Sequence, residues 1–291
     1  MAAGRRMSQG HFFYCGKAES VRNSQGCASI LKSRATVLPS SFSLGGFVDN
    51  LRDVAGVDAA STYVAAGGHR LRRGVFYRSN VLAPADGKID QLNGLGLRAV
   101  YDLRTPAEVA RQPDQLPAGA AYVQINILDE DQVTFGTLSS AAETVAAMEN
   151  LQRQMVTQAG MRKRLGELFT ALAEGEDAQL YHCTGGKDRT GWVTALLQLQ
   201  AGVAQEDVMH DYLLTNQRMT AFIEQNYAAV AEQYGKAAAE AILPALSVRE
   251  SFLQAGLDQL RQDFGTVAGY LGRGIGLDDA TQDRLRTRML A

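Results

Sequence analysis

The residues best suited to chemistry lie in one short segment, Tyr181–Gly191, with the sequence YHCTGGKDRTG. Cys183 comes first, and Arg189 follows six positions later in a Cys-x5-Arg spacing. The adjacent glycines Gly185 and Gly186 allow the backbone to curl so that successive N–H groups point inward. A helix that begins directly afterwards adds its free N–H groups and the positive end of its dipole. The segment therefore predicts a cradle for an anion.

Cys183 stands at the start of this cradle, where the positive field favours a thiolate, which is nucleophilic without an adjacent base. The planar fork of Arg189 is suited to holding two oxygens of a phosphoryl group. Thr190 is predicted to donate a hydroxyl hydrogen bond to the sulfur. The residues expected to surround the bound phosphoryl group are Thr184, Gly185, Gly186, Lys187, Asp188 and Arg189. This arrangement predicts nucleophilic attack on phosphorus.

Such a reaction also requires an acid to protonate the leaving oxygen. Asp188, inside the segment, is the first candidate. Asp102 is the second, because it ends a predicted strand whose carboxyl end faces the same crevice; a helix-capping or turn role explains it equally well. Asp129 and Asp131 are candidates for an acid on a mobile lid, although a solvated loop is the simpler interpretation.

Five further side chains in or near this segment have competing interpretations. His182 is expected to bond neighbouring backbone rather than act as a base. Lys187 either contacts a second phosphate or an acidic lipid head group, or simply adds charge at the rim. Arg52 and Asp53 are interpreted as a salt-bridged pair that braces the site, and Arg104 as a candidate for substrate contact.

Strands and helices alternate through the middle of the chain, which predicts an α/β sheet flanked by helices. A helical C-terminal portion follows Gln205, interrupted by Gly235, Pro244, Gly265 and Gly276. The predicted strands are Val75–Ser79, Leu97–Leu103, Tyr122–Ile127 and Gln179–His182; the predicted helices are Ile89–Gly94, a long helix from about Ala141 to Ala173, and Thr190–Leu199. In the third strand, Val123, Ile125 and Ile127 are expected to share one buried face.

The N-terminal segment differs in composition from the rest of the chain. Residues 1–40 are rich in Arg, Lys, Ser and Gly, which predicts a disordered tail, with a transit peptide or an over-extended gene start as alternatives. Residues 41–291 are then a single domain. Within this domain, Asp129-Glu-Asp131 forms an acidic patch.

The composition excludes several classes of protein. A net charge of −2 gives no reason to expect a nucleic-acid partner, and no apolar stretch is long enough to span a membrane. Three scattered cysteines, Cys15, Cys27 and Cys183, do not form a disulfide framework or a zinc motif. We expect a soluble, cytoplasmic protein without metal or cofactor; the oligomeric state stays open.

The segment resembles the cysteine-based protein tyrosine phosphatases, specifically the tyrosine/serine phosphatase branch that carries His-Cys-x-x-Gly-Lys-Asp-Arg-Thr-Gly. The similarity spans roughly Ser43 to Leu290. It includes Asn50–Gly56, Arg78-Ser79, Tyr101–Thr105, Asp211–Asn216 and a C-terminal run from Phe252 to Leu277. The resemblance implies a phosphatase-like sheet, a phosphocysteine intermediate on Cys183 and support for Asp188 as the acid. It also implies phosphotyrosine proteins as substrates, with phosphoserine/threonine proteins or phosphoinositides as further possibilities.

The sequence departs from the family pattern at two positions. Ala55 stands where the family often has glycine, and Gly186 where alanine is commoner, a change expected to loosen the loop slightly. Two other functions stay open: a module that binds phosphorylated partners without turnover, and thiol chemistry of the rhodanese or arsenate-reductase type. The second alternative would need a resolving cysteine, for which Cys15 and Cys27 are weak candidates.

Overall fold

The computed structural model describes residues 48–84, 89–128 and 139–291. The predicted N-terminal tail, the two cysteines in it, and the acidic patch with Asp129 and Asp131 lie outside the described residues. The described strands are β1 (Arg52–Asp53), β2 (Phe76–Ser79), β3 (Ala99–Asp102), β4 (Ala121–Gln124) and β5 (Gln179–His182).

Helices make up most of the remaining structure. In chain order they are α1 (Ile89–Asn93), α2 (Pro106–Arg111), α3 (Ala141–Thr157), α4 (Ala159–Glu174), α5 (Asp188–Ala201), α6 (Gln205–Arg218), α7 (Thr220–Tyr234), α8 (Lys236–Leu246), α9 (Glu250–Phe264), α10 (Val267–Gly269), a π-helical turn (Tyr270–Gly274) and α11 (Asp279–Met289). The predicted α/β class, with helices flanking a sheet and a helical C-terminal portion, is confirmed.

The strands form one mixed sheet in the order β1-β2-β5-β3-β4. The pairing of β1 with β2 is antiparallel, whereas β5 lies parallel between β2 and β3. This register places Ser79, His182 and Asp102, the last residues of β2, β5 and β3, side by side. Because ligands of open α/β sheets bind beyond the carboxyl ends of the strands, the segment after β5 lies where a site is expected.

The helix that follows β5 is buried on almost every side, as its all-round apolar sequence predicts. Trp192, on α5, is fully buried and meets α9 at Gly256, where a β-carbon would approach the indole ring to 2.7 Å. Helix α3 packs in turn against α8 and α9. These contacts hold α5, and therefore its N-terminus, in a fixed position.

The predicted long helix from Ala141 to Ala173 is wrong in one respect, because the structure contains two helices. Gln158 takes an extended conformation with ψ 122° between α3 and α4. Arg162 stabilises the break by donating to the carbonyls of Val156 and Thr157 at 3.0 and 2.7 Å. The apolar spacing does not reveal this break, since both helices bury their apolar side chains in the same core.

Three smaller expectations also need correction. Ile125 and Ile127 are buried, but Val123 is 39% exposed. Val123 belongs to β4, which is the edge strand of the sheet and has all four of its residues exposed. Pro244 does not separate two helices; it lies within α8. Helix α5 begins at Asp188, two residues before the predicted start, which places the candidate acid in its first turn.

In the described ranges we find no helix with the length and apolar character that a membrane crossing requires.

Candidate functional site

The candidate site is the turn between β5 and α5, which we call the cysteine loop (Cys183–Lys187). Three successive carbonyls of this loop accept hydrogen bonds from outside it. The carbonyl of Thr184 accepts from the backbone N–H of Val81 at 3.0 Å. Those of Gly185 and Gly186 accept from the amide of Asn50 at 3.1 and 2.9 Å. Arg78 donates a further bond to the Gly186 carbonyl at 2.7 Å.

The backbone N–H groups of the loop show the opposite behaviour. From Thr184 to Thr190, none of them donates a hydrogen bond to another described residue. Unpaired backbone N–H groups are uncommon inside folded proteins and are usually satisfied by a ligand or water. Together with the N-terminus of α5, these groups form a site suited to an anion.

Gly186 has a positive φ of 65°, a region that residues with a β-carbon rarely adopt. A β-carbon there would lie 2.3 Å from the carbonyl oxygen of Ser79. Alanine, which is commoner at this position in the family, would therefore clash with Ser79 in this chain. Gly185 is the position with room, since its added β-carbon would lie 3.4 Å from the nearest atom, in the Lys187 side chain.

These two neighbouring glycines give a matched pair of variants. Gly186→Ala is expected to lower kcat/KM by about 100-fold, because the loop must move away from Ser79 and lose its alignment with the anion. Gly185→Ala, which needs only ordinary contact with a flexible side chain, is expected to stay within about threefold of the wild type. Steady-state hydrolysis of an aryl phosphate measures both variants. Equal losses in the two would contradict this assignment.

Cys183 is buried, with 2% of its surface exposed, and its thiol is free. The ring Nδ1 of His182 lies 3.1 Å from the Cys183 carbonyl oxygen, in agreement with the expected backbone contact. The expected bond from Thr190 to the sulfur is not formed. The Thr190 hydroxyl is fully buried and has no hydrogen-bond partner among the residues that the structure describes.

Arg189 is held by Glu108, a residue that the sequence analysis did not identify. Its Nη1 and Nη2 atoms donate to the two Glu108 carboxylate oxygens at 2.8 and 2.7 Å, and Nη1 also donates to the Leu103 carbonyl at 3.2 Å. A guanidinium has five N–H donors, so the Nε donor and one Nη2 donor are left without a described partner. These two donors form the second fork of the group, which is free for a phosphoryl group.

Arg189 and Glu108 each stabilise the ionised form of the other. Burial alone would lower the pKa of Arg189, but the charges of Glu108 and Cys183 raise it well above the usual value. Burial alone would raise the pKa of Glu108, but the charge and hydrogen bonds of Arg189, with a short contact from the Thr184 hydroxyl, lower it well below its usual range. Both groups are therefore ionised throughout the neutral pH range.

Glu108 is positioned by a capping box at the start of α2. The Thr105 hydroxyl accepts from the Glu108 backbone N–H at 3.2 Å, and a Glu108 carboxylate oxygen accepts from the Thr105 backbone N–H at 2.9 Å. The sequence contains this signal as Thr-x-x-Glu directly after a strand. That signal was sufficient to place a carboxylate near the carboxyl edge of the sheet.

A pH prediction follows for Glu108. Because its folded pKa lies below the unfolded value of about 4.3, its stabilising effect is complete above that pH and is lost as the pH falls through the folded pKa. Glu108→Gln is expected to lower the free energy of unfolding by about 2 kcal/mol at pH 7. This difference should shrink steadily as the pH falls from about 5 to 3.

Denaturant unfolding at several pH values measures this difference. Glu167→Gln is the matched control, since its ion pair with Arg164 lies at the surface with both side chains about 40% exposed. The control should show a small difference with little pH dependence. A Glu108→Gln difference that stays constant from pH 7 to 3 would contradict the shifted pKa.

Asp188 and Lys187 form an adjacent pair at the start of α5. The Lys187 Nζ atom donates to Asp188 Oδ2 at 2.7 Å, with side chains that are 11% and 14% exposed. The other carboxylate oxygen, Oδ1, is buried and has no hydrogen-bond partner among the described residues. One oxygen of Asp188 is therefore left unpaired by the described residues.

Asp102 has a different environment. It is fully buried, and Arg104 donates to its two oxygens at 2.8 and 2.7 Å while the Tyr122 hydroxyl donates at 2.8 Å. Burial alone would raise the pKa of Asp102, but the hydrogen bonds of Arg104 and the charge of His182 hold it below the usual value. A carboxyl group of this kind stays ionised and is a poor proton donor.

Arg104 is the centre of a buried cluster behind the loop. It also donates to Asp114 at 2.7 Å, and the ring of His182 lies 3.2 Å from the same carboxylate. Asp102, Asp114 and His182 are close enough to hold a metal ion, but Arg104 already pairs with both carboxylates. The expected contact of Arg104 with substrate is not supported, because the side chain is only 1% exposed.

The expected pairing of Arg52 with Asp53 is wrong. Successive side chains of a strand point to opposite faces, so neighbours on β1 cannot pair easily. Arg52 contacts Asp211 at 3.1 Å, whereas Asp53 faces Arg73 at 3.7 Å. Arg52 still braces the site through a salt bridge, but its partner is Asp211, which also pairs with Arg78 at 3.0 Å.

The fold and this loop define an α/β protein with a candidate anion site at the carboxyl edge of its sheet. A family model described as the tyrosine phosphatase family matches residues 46–291. The chain belongs to the tyrosine phosphatase family.

Curated relatives extend this comparison. A putative tyrosine-protein phosphatase of Cupriavidus necator is 34% identical over 251 residues, covering 84% of this chain and 86% of the relative. The triple specificity protein phosphatase PtpB of Mycobacterium tuberculosis is 30% identical over 278 residues, covering 83% of this chain and 96% of the relative. A tyrosine-protein phosphatase of Nostoc commune is 30% identical over 134 residues, which is 45% of this chain and 44% of the relative.

Proposed function

We propose that this phosphatase hydrolyses phosphate monoesters through a phosphocysteine intermediate on Cys183. The observation that carries the proposal is the loop between β5 and α5, where a thiol, unpaired backbone N–H groups and a half-occupied guanidinium occur within seven residues. A site of this kind offers a nucleophile and donors for the phosphoryl oxygens together.

The reaction has two steps. The Cys183 thiolate attacks phosphorus and forms an S–P bond, while the P–O bond to the leaving group breaks and an acid protonates the leaving oxygen. A water molecule then attacks phosphorus, the same carboxylate takes its proton, and the S–P bond breaks to release phosphate and the thiolate. The free fork of Arg189 and the amides of Thr184, Gly185, Gly186 and Lys187 hold the phosphoryl oxygens in both steps.

Asp188 is the better supported acid. Its Oδ1 atom has no described partner, while Lys187 holds Oδ2. Asp102 donates nothing and accepts from Arg104 and Tyr122. We therefore assign Asp188 to proton transfer, Lys187 to its orientation, and Asp102 to positioning of the strand end beside the loop.

This assignment predicts different effects for two matched variants. Asp188→Asn is expected to lower kcat by about 100–1,000-fold for an alkyl phosphate, whose leaving oxygen needs a proton, and less for a nitrophenyl phosphate. Asp102→Asn is expected to lower kcat equally for both substrates, since it acts through structure. Measuring kcat with both substrates separates the two roles. A leaving-group dependence in Asp102→Asn alone would reverse the assignment.

For substrates, we propose phosphotyrosine proteins, with phosphoserine/threonine proteins or phosphoinositides as further classes. The name of the triple specificity relative supports a broad range. Lys187 offers positive charge beside the site, although its pairing with Asp188 limits that role. A cytoplasmic location is proposed because the described residues contain a free catalytic-site thiol, which a reducing compartment protects.

Hydrolysis of an aryl phosphate in the presence and absence of a chelator tests the function. We expect release of inorganic phosphate at rates that the chelator does not change. Turnover that the chelator abolishes would contradict a reaction carried by protein groups alone. Binding of a phosphopeptide without any hydrolysis would instead favour the module that captures phosphorylated partners.

A further inference from the structure

We propose that Asn50 and Arg78 are positioning residues that orient the peptide groups of the cysteine loop, so that its amide hydrogens face the substrate anion. This inference rests on the proposed function, since it concerns the same anion site. Both side chains are fully buried and donate hydrogen bonds to carbonyl oxygens of the loop.

The direction of each loop carbonyl fixes the direction of the next N–H group. In a trans peptide, the C=O of one residue and the N–H of the next point in opposite directions. The described residues contain no cis peptide. The Gly185 and Gly186 carbonyls point at Asn50 and Arg78, so the N–H groups of Gly186 and Lys187 point away from them. The Thr184 carbonyl, fixed by Val81, sets the N–H of Gly185 in the same way.

The Gly185-Gly186 pair needs hydrogen bonds from other residues to keep its peptide groups in this orientation. Glycine adopts positive and negative φ almost equally, so a Gly-Gly turn has peptide orientations of similar energy. If the two carbonyls rotated inward, their negative ends would face a phosphoryl group and weaken its binding. Hydrogen bonds from Asn50 and Arg78 stabilise the outward orientation of the carbonyls. The positive φ of Gly186 is the conformation that such an inward-facing set of N–H groups requires.

The two donors are themselves fixed. Arg78 is bound to Asp211 at 3.0 Å, and Asp211 also holds Arg52 at 3.1 Å. The carbonyl and side-chain oxygens of Asn50 accept from Arg52. The backbone N–H of Asn50 donates to Asn80 at 3.0 Å.

The net charge of this cluster also favours anion binding at the loop. Arg52 and Arg78 are two buried cations, and Asp211 is the one carboxylate that contacts both in the described structure. Burial and the neighbouring Arg52 lower the pKa of Arg78 to about 10, and Asp211 opposes this shift. Arg78 thus stays charged at neutral pH and leaves a net positive charge directly behind the loop.

Asn50→Asp tests the proposal with little change in shape. The variant keeps the oxygen that accepts from Arg52 and loses the two amide donations to the loop. Asn216→Asp is the matched control, because the Asn216 amide also donates to a backbone carbonyl, that of Val248, while its side-chain oxygen accepts from the Val248 N–H. Binding of inorganic phosphate by calorimetry, kcat/KM for an aryl phosphate and denaturant unfolding are measured for both variants.

We expect Asn50→Asp to weaken phosphate binding and to lower kcat/KM by about 100-fold, as for loss of oxyanion donors. Asn216→Asp should stay within about threefold at a similar loss of stability. If Asn50→Asp does not fold, Asn50→Ala removes the same two donors without adding charge and is expected to show the same loss. Phosphate affinity in the folded Asn50 variant equal to that of Asn216→Asp overturns the proposal.

Phosphate binding keeps this test separate from the proposed function, because it needs no turnover. A wild type that binds phosphate but hydrolyses nothing would contradict the proposed reaction, while the comparison of phosphate affinities would still decide the role of Asn50. Normal hydrolysis with an unchanged Asn50→Asp variant would reject the positioning role and leave the reaction intact.

Discussion

Cys183→Ser is expected to lower kcat on an aryl phosphate by roughly 10,000-fold or more. A serine hydroxyl has nearly the size of the thiol, but it stays protonated at neutral pH, and no side chain in the proposed mechanism acts as a base for it. The loop amides and Arg189 are unchanged by this substitution. Inorganic phosphate should therefore still bind, with an affinity equal to or greater than that of the wild type, because the negative sulfur is removed.

Phosphate binding and thermal unfolding of the same variant are the controls for this prediction. Loss of activity together with preserved phosphate affinity and an unchanged unfolding midpoint identifies a missing nucleophile. Activity within about tenfold of the wild type would show that another group attacks phosphorus. Loss of activity accompanied by unfolding would point to a packing role for this buried side chain.

Arg189→Lys is expected to lower kcat/KM by about 100–1,000-fold, although the positive charge is kept. The guanidinium binds Glu108 with one fork and offers the other to the phosphoryl group. A lysine Nζ presents three donors from one atom and cannot hold both partners in these planar geometries. Because both substrate binding and the transition state use this fork, we expect KM to rise and kcat to fall.

Arg162→Lys is a suitable control for this substitution. Arg162 also makes several hydrogen bonds to backbone carbonyls, those of Gly274, Val156 and Thr157, but it lies in the first turn of α4. Its replacement should lower stability while kcat/KM for the folded enzyme changes by less than about threefold. Equal losses of kcat/KM in the two variants would show that the effect at Arg189 is structural.

Sequence reasoning predicts the fold well where local signals agree. The strand Gln179–His182 has the predicted bounds, and α5 extends two residues beyond the predicted Thr190–Leu199 at each end. The break between α3 and α4 was missed, because Gln158 carries no glycine or proline signal and the apolar spacing continues through it. The exposure of Val123 was missed because strand order, which makes β4 an edge, depends on long-range pairing.

At the candidate site, too, local signals are predicted from the sequence but long-range partners are not. One continuous segment supplies Cys183, Asp188 and Arg189, so their proximity could be predicted from the sequence. The partners of these residues come from distant strands and helices, and only the folded sheet brings them together. Glu108 lies 81 positions from Arg189, and Asn50 lies 136 from Gly186.

Pairing errors have a similar cause. Arg52 and Asp53 are adjacent in sequence, yet the alternation of a strand sends them to opposite faces and to different partners, Asp211 and Arg73. The hydroxyl of Thr190 was assigned to the sulfur from its position in the motif alone. Its orientation depends on the packing around α5, in which it is fully buried.

Rapid denaturation of the enzyme during turnover of an aryl phosphate, followed by mass spectrometry of its peptides, tests the central claim most directly. We expect a phosphoryl group on the peptide that contains Cys183, absent from the Cys183→Ser variant and more abundant in Asp188→Asn, where the attacking water lacks its base. A phosphoryl group on any other residue, or an unmodified Cys183 peptide in an actively hydrolysing Asp188→Asn variant, would contradict the account.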